Sequence, residues 1–167
     1  MATFFALILL GSAAALVAAM AMGGPLRDAV VDLSLPLAGL VAAGATAGSL
    51  YFSEVADFVP CEMCWYQRIA MYPLAPILAI AAFRGDRQIG NYVLPIAVIG
   101  AGISIYHVQL QLFPDQGSSC SLATPCTAKW VEALGFATIP VMALISFLLV
   151  ITLTLTARSS PMKEVSQ

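Results

Sequence analysis

The four cysteines of this 167-residue chain come as two close pairs, Cys61-Glu62-Met63-Cys64 and Cys120-(x5)-Cys126. An even count paired by proximity fits two disulfides, although four cysteines allow three connectivities. A zinc site would want a second CxxC or two histidines beside the first, and the chain has one CxxC and one histidine. A c-type haem needs His directly after the second cysteine, where Trp65 stands. No metal is therefore expected. Structural disulfides remain as the alternative, but a two-residue spacer closes too short a loop to stabilise much by chain entropy. Such a spacing suits a redox centre better than a staple. Pro60 fits the first helical position, so Cys61 and Cys64 are expected in the first turn of a helix. There the helix dipole favours a thiolate, and sulfurs at i and i+3 share a face.

Two further side chains could act on these sulfurs. Arg68 follows Cys64 by four residues, one turn deeper on the same face and roughly 6 Å along the axis. A charge placed centrally in a membrane span costs at least ~2.5–3.5 kcal/mol on insertion scales. Arg68 is therefore either an anchor reaching to the head groups or a cation set beside a thiolate. His107, with Gln111 one turn on, is the only side chain whose unperturbed pKa lies near neutrality. It reads either as a packing residue or as part of the site.

The elements that must position these residues are helices in lipid. Hydrophobic residues make up 60% of the chain and charged residues 10%, with mean hydropathy +0.93. A soluble domain carries about 25% charged residues, so a water-soluble fold could not hide this much apolar surface. The net charge of −2 offers no basic patch to nucleic acid. Five stretches, 1–22, 35–53, 65–83, 92–112 and 135–157, are long enough to span a bilayer as helices. Nothing alternates as the strands of a membrane barrel would. The expected fold is an all-α integral membrane protein: a four-helix transmembrane bundle over 35–157, one additional N-terminal transmembrane helix over 1–22, and a cytoplasmic tail over 158–167. Gly44 and Gly48 form a GxxxG, where close helix approach is expected. Pro73, Pro76, Pro95 and Pro140 fall inside spans. The segment 128–134 looks interfacial.

Basic residues set the orientation. Arg27, then Arg84 and Arg87, then Arg158 and Lys163 mark the cytoplasmic side, whereas the cysteine loops carry Glu54, Asp57 and a lone Lys129. The cysteines thus face outward, where disulfides persist. The N-terminus is expected outside and the C-terminus inside. Ala19-Met20-Ala21 resembles a signal-peptidase site, but residues 1–10 lack the positive start of a signal peptide, so a retained helix is expected.

The run Cys61-Glu-Met-Cys64-Trp-Tyr-Gln-Arg68-Ile-Ala-Met-Tyr-Pro73 resembles the CxxC-x-Y-x-R signature of the DsbB-type disulfide bond formation proteins. Tyr106-His107-Val-Gln-Leu-Gln111-Leu-Phe113-Pro114, followed by Cys120, is similar to that family's third core helix and second outer loop. The resemblance covers the four-span core; helix 1–22 is an addition to it. The close spacing of Cys120 and Cys126 is that of the short-loop, BdbC-like branch. The resemblance implies a multi-pass protein of the bacterial cytoplasmic membrane. A DsbA-type thioredoxin-fold oxidase would be reoxidised at Cys120–Cys126, with Cys120 forming the mixed disulfide. Electrons would pass to Cys61–Cys64, and Cys64 would deliver them to a membrane quinone, ubiquinone or menaquinone. Arg68 would stabilise the Cys64 thiolate, and His107 would lie near the same quinone ring. DsbA is a strong oxidant, at about −120 mV, so its regeneration needs a still better electron sink. Two other readings are a vitamin K epoxide reductase-like relay and a non-enzymatic membrane scaffold. The first is disfavoured because CxxC precedes the loop pair here, the second because the spans offer no polar pathway.

Overall fold

Six α-helices account for most of the residues described by the computed structural model, which are 2–116, 120 and 124–159. They are α1 (Ala2–Met22), α2 (Gly24–Asp32), α3 (Ser34–Leu50), α4 (Glu62–Arg84), α5 (Gly90–Leu112) and α6 (Ile139–Ser159). Helices α3 to α6 form the bundle: each packs on the next, and α6 closes the ring on α3. Helix α1 lies outside it, against α2 and α6. Lys163 and most of the expected tail lie outside the described residues.

Four helical segments are long and apolar enough to cross a membrane, Ala2–Met22, Ser34–Val55, Arg87–Leu112 and Ile139–Ser159. The remaining expected span, 65–83, lies within α4. At 23 residues α4 is ~35 Å long, ample for a bilayer, but Glu62, Gln67, Arg68 and Arg84 dilute its apolar character. It packs between α3 and α5.

In lipid every helix face is apolar, so the buried face is marked by residue size. Ala38 and Ala42 of α3 and Ala97 and Ala101 of α5 let Leu74 and Leu78 of α4 and Phe147 and Val150 of α6 fill the centre. The closest approach comes at Gly100, where any Cβ would run into the Phe147 ring. The GxxxG expectation fails at Gly44, where an added Cβ would meet nothing within 4 Å. Gly48 meets Phe5 of α1, outside the bundle, and it is Gly39 that lies against the Leu78–Ala79 backbone.

The connections are more structured than expected. Residues 24–32, between the first two expected spans, form α2, entered through Gly23 and Gly24 at positive φ and with Pro25 in its first turn. Helix α3 continues through a π-helical turn, Tyr51–Val55. Helix α6 starts four residues later than the expected 135, because Ala133 and Ala137 pair across a tight turn with Leu134 and Gly135 at positive φ. Pro140 therefore falls in the first turn of α6, where its missing N–H is an orphan anyway.

The two ends of the bundle differ in charge. At one end Arg87 donates to the Ala157 carbonyl (3.3 Å), and Arg158 lies over Gly90. Arg84 closes α4 at that same end, before the left-handed Gly85. The other end holds the cysteines. The start of α1 is there too, since the Phe5 ring lies 6.0–6.2 Å from those of Phe52 and Tyr51.

Candidate redox site

Cys61 is the N-cap of α4, in an extended conformation, with Cys64 in the first turn. Pro60 therefore precedes the helix instead of opening it. The Cys61 and Cys64 sulfurs are 2.9 Å apart as free thiols in hydrogen-bond contact. Of the two expected disulfides, the structure forms one, Cys120–Cys126, with Cα atoms 6.0 Å apart. The two pairs share one buried cluster with Met63 and Leu110. Within it Cys126 is completely buried, while Cys120 is partly exposed.

His107 joins the pairs. Its Nε2 lies 3.7 Å from Cys61 Sγ and 3.2 Å from the Cys126 carbonyl oxygen. The ring is 2% exposed, and Nδ1 has no partner. One turn on, Gln111 donates to the Ala128 carbonyl (3.3 Å). Helix α5 thus grips the loop of the second pair at two points. One turn below, Gln67 donates to Ser104 (3.1 Å), whose hydroxyl donates back to Gly100 O (2.9 Å). Ser104, His107 and Gln111 share one face of α5 at i, i+3 and i+7.

The Cys61 thiol is held well below the ordinary thiol range, chiefly by the hydrogen bond from Cys64. Burial opposes this shift and the His107 contact supports it. Cys61, Cys64 and His107 also bring two sulfurs and a ring nitrogen within 4.8 Å of one another. Spacing alone hid this cluster, because its third member comes 43 positions after Cys64 on another helix.

Arg68 does not reach Cys64 by a hydrogen bond. Its Nε donates to Ser49 Oγ (3.0 Å) and its Nη2 to Ser49 O (3.1 Å), and the guanidinium lies 5.2 Å from the Trp65 ring centroid. Tyr72 donates to the same hydroxyl at 3.2 Å. Nothing in the sequence singled out Ser49.

Arg68 and His107 line separate cavities. His107, Cys61, Cys64, Gln111 and Trp130 border a narrow cleft with room for about one water molecule. Arg68 and Trp65 border a hollow of about 260 Å³ with Glu54, Asp57, Phe58 and Pro60. The rings of Phe52, Phe58 and Trp130 stack at 5.9–6.0 Å and tie the two outer loops together.

The family model for disulfide bond formation protein DsbB matches residues 32–157. The chain belongs to that family. Only α1 and most of α2 precede the matched segment. Disulfide bond formation protein C of Bacillus subtilis is 52% identical over 114 residues, covering 67% of this chain and 83% of that protein. A probable disulfide formation protein of Deinococcus radiodurans is 46% identical over 132 residues, covering 73% and 86%. No solved structure matches significantly. The DsbB-family membership and the spans together make this a multi-pass membrane protein of disulfide bond formation.

Proposed function

We propose that this DsbB-family protein reoxidises a DsbA-type dithiol oxidase and passes the two electrons through its two cysteine pairs to a membrane quinone. The supporting observation is His107 Nε2 lying between Cys61 Sγ and the Cys126 carbonyl, with both pairs in one buried cluster.

The exposure of the outer pair gives the exchange its order. A partner thiolate attacks the partly exposed Cys120 sulfur, and the Cys120–Cys126 bond breaks with Cys126 leaving. The partner's second thiol then resolves the mixed disulfide, and the partner departs oxidised. The outer dithiol next reduces a Cys61–Cys64 disulfide by the same exchange, returning the outer disulfide and leaving two inner thiols. That is the state of the present geometry, with the outer pair bonded and the inner pair free.

A quinone would supply a sink for two electrons and two protons. The one-water cleft that both inner sulfurs line with His107 is too small for its ring; the larger hollow beside Trp65 and Arg68 has the room, and a ring there would have to reach Cys64 one helical turn above Arg68. Arg68, fixed by Ser49, would present a cation to a carbonyl oxygen there, and Trp65 an aromatic face. The cysteine end is read as the outer face of the bacterial cytoplasmic membrane.

The test is the thiol state of the protein in cells depleted of quinone. A relay accumulates thiols at both pairs when its acceptor is withdrawn. Cysteines that stay fully oxidised would overturn the proposal.

A further inference from the structure

We infer that the reduced Cys61–Cys64 pair and His107 form a binding site for a thiophilic divalent cation, one that exists only while the pair is reduced. The inference concerns the thiol form alone and does not depend on which acceptor oxidises it.

The donor set is two sulfurs and one imidazole nitrogen, all within 4.8 Å. A tetrahedral zinc centre, with Zn–S of ~2.3 Å and Zn–N of ~2.0–2.1 Å, sets its ligands ~3.8 Å apart for S···S and ~3.6 Å for S···N. Cys61 Sγ and His107 Nε2 already stand at 3.7 Å; to bind a metal Nε2 must give up its 3.2 Å contact with the Cys126 carbonyl and leave the ring proton on Nδ1. The two sulfurs, at 2.9 Å, must part by about 0.9 Å, the difference between ~3.8 and 2.9. Cys64 lies in the first turn of α4 and is only partly buried, so a small side-chain rotation can supply that movement.

The fourth position is also provided. The cleft lined by Cys61, Cys64 and His107 has room for about one water molecule, so two Cys, one His and water complete the tetrahedron. Two thiolates and a neutral imidazole cancel a dication, which suits a place where Cys61 is 4% and His107 2% exposed. Binding forms two metal–sulfur bonds and one metal–nitrogen bond and releases to solvent any proton that the two sulfurs still carry. Nothing is oxidised or reduced. A Cys61–Cys64 disulfide has no thiolate to offer, so oxidation abolishes the site. A bound cation would in turn hold the pair reduced, making the site a brake on the protein's own reoxidation.

The experiment uses the full-length protein in detergent, reduced, with Cys120→Ser/Cys126→Ser changes so that the outer thiols cannot bind. Titration with Co²⁺ should give one equivalent per chain, with thiolate-to-cobalt charge-transfer and tetrahedral ligand-field bands, and Zn²⁺ should displace it. The oxidised protein should bind none. His107→Ala should weaken binding at least about tenfold, as befits loss of a ligand. In the unsubstituted protein, Zn²⁺ should shield Cys61 and Cys64 from alkylation, a readout that survives any folding defect of the variants. Equal binding by His107→Ala, binding by the oxidised form, or an absence of shielding would each overturn the inference.

Discussion

Replacing Ser49 tests whether Arg68 is a placed cation or an anchor. Ser49 Oγ accepts Arg68 Nε at 3.0 Å, while the Ser49 carbonyl accepts Nη2 at 3.1 Å. Ser49→Ala removes the first bond and keeps the second. A hydrogen bond from a charged group contributes ~1.5–3 kcal/mol net. If about half of one such bond is felt in turnover, ~1 kcal/mol is lost, a fall of about fivefold. Arg68→Gln removes both bonds and the cation, so quinone reduction should fall at least about tenfold, or ~1.4 kcal/mol. Lysine should rescue only partly, since it lacks the planar fork. Because Ser49 acts through Arg68, adding Ser49→Ala to Arg68→Gln should change the rate by less than about twofold. The assay is quinone reduction by purified variants, titrated over quinone and pH, with disulfide content as the check on folding. If Arg68→Gln turns over like the parent, Arg68 is an anchor and the account of the hollow is wrong. Full additivity of the two changes would show that Ser49 acts by another route.

Three further outcomes follow from the geometry. Cys126→Ser should trap a mixed disulfide between Cys120 and the partner oxidase; a trap seen instead with Cys120→Ser would reverse the roles assigned from exposure. Tags on a cysteine-free variant should find the N-terminus outside and the C-terminus inside; both termini in the cytoplasm would mean that α1 does not span. Gly100→Ala forces a Cβ into the Phe147 ring and should destabilise the bundle by ~1–3 kcal/mol, whereas Gly44→Ala, in mid-helix with open space around it, should leave the melting temperature unchanged or raise it.

Apolar runs in lipid announce themselves by length, so the bundle was legible from the sequence, and the CxxC run marked one end of it. What stayed hidden was sidedness. A helix that is apolar all round has no hydrophobic face to read, and for that reason Gly44 was mistaken for a contact and Gly100 passed over. The site was half legible. Cys61 and Cys64 are local in sequence, but their link to Cys126 runs through His107, 46 residues from Cys61 and 19 from Cys126. Ser49 and Ser104 looked like ordinary small polar residues. Only the partners that tertiary packing brings, Arg68 and Gln67, give them a role.

Both cysteine pairs, His107 and Arg68 lie toward one end of the bundle, and this has an electrical consequence. Oxidising two thiols releases two electrons and two protons, and a quinone takes up two of each. With the proposed quinone accepting at that same end, the full reaction would move no net charge through the bilayer. Moving one charge across it is worth ~2.3 kcal/mol per 100 mV, up to about fifty-fold in rate. Turnover in sealed vesicles should therefore ignore an imposed potential, and a rate that follows the potential would mean that a proton or an electron crosses the bundle. On the proposed quinone reading the membrane potential would neither drive nor oppose disulfide formation, and the drive would come from the difference in redox poise between the partner dithiol and the quinone pool.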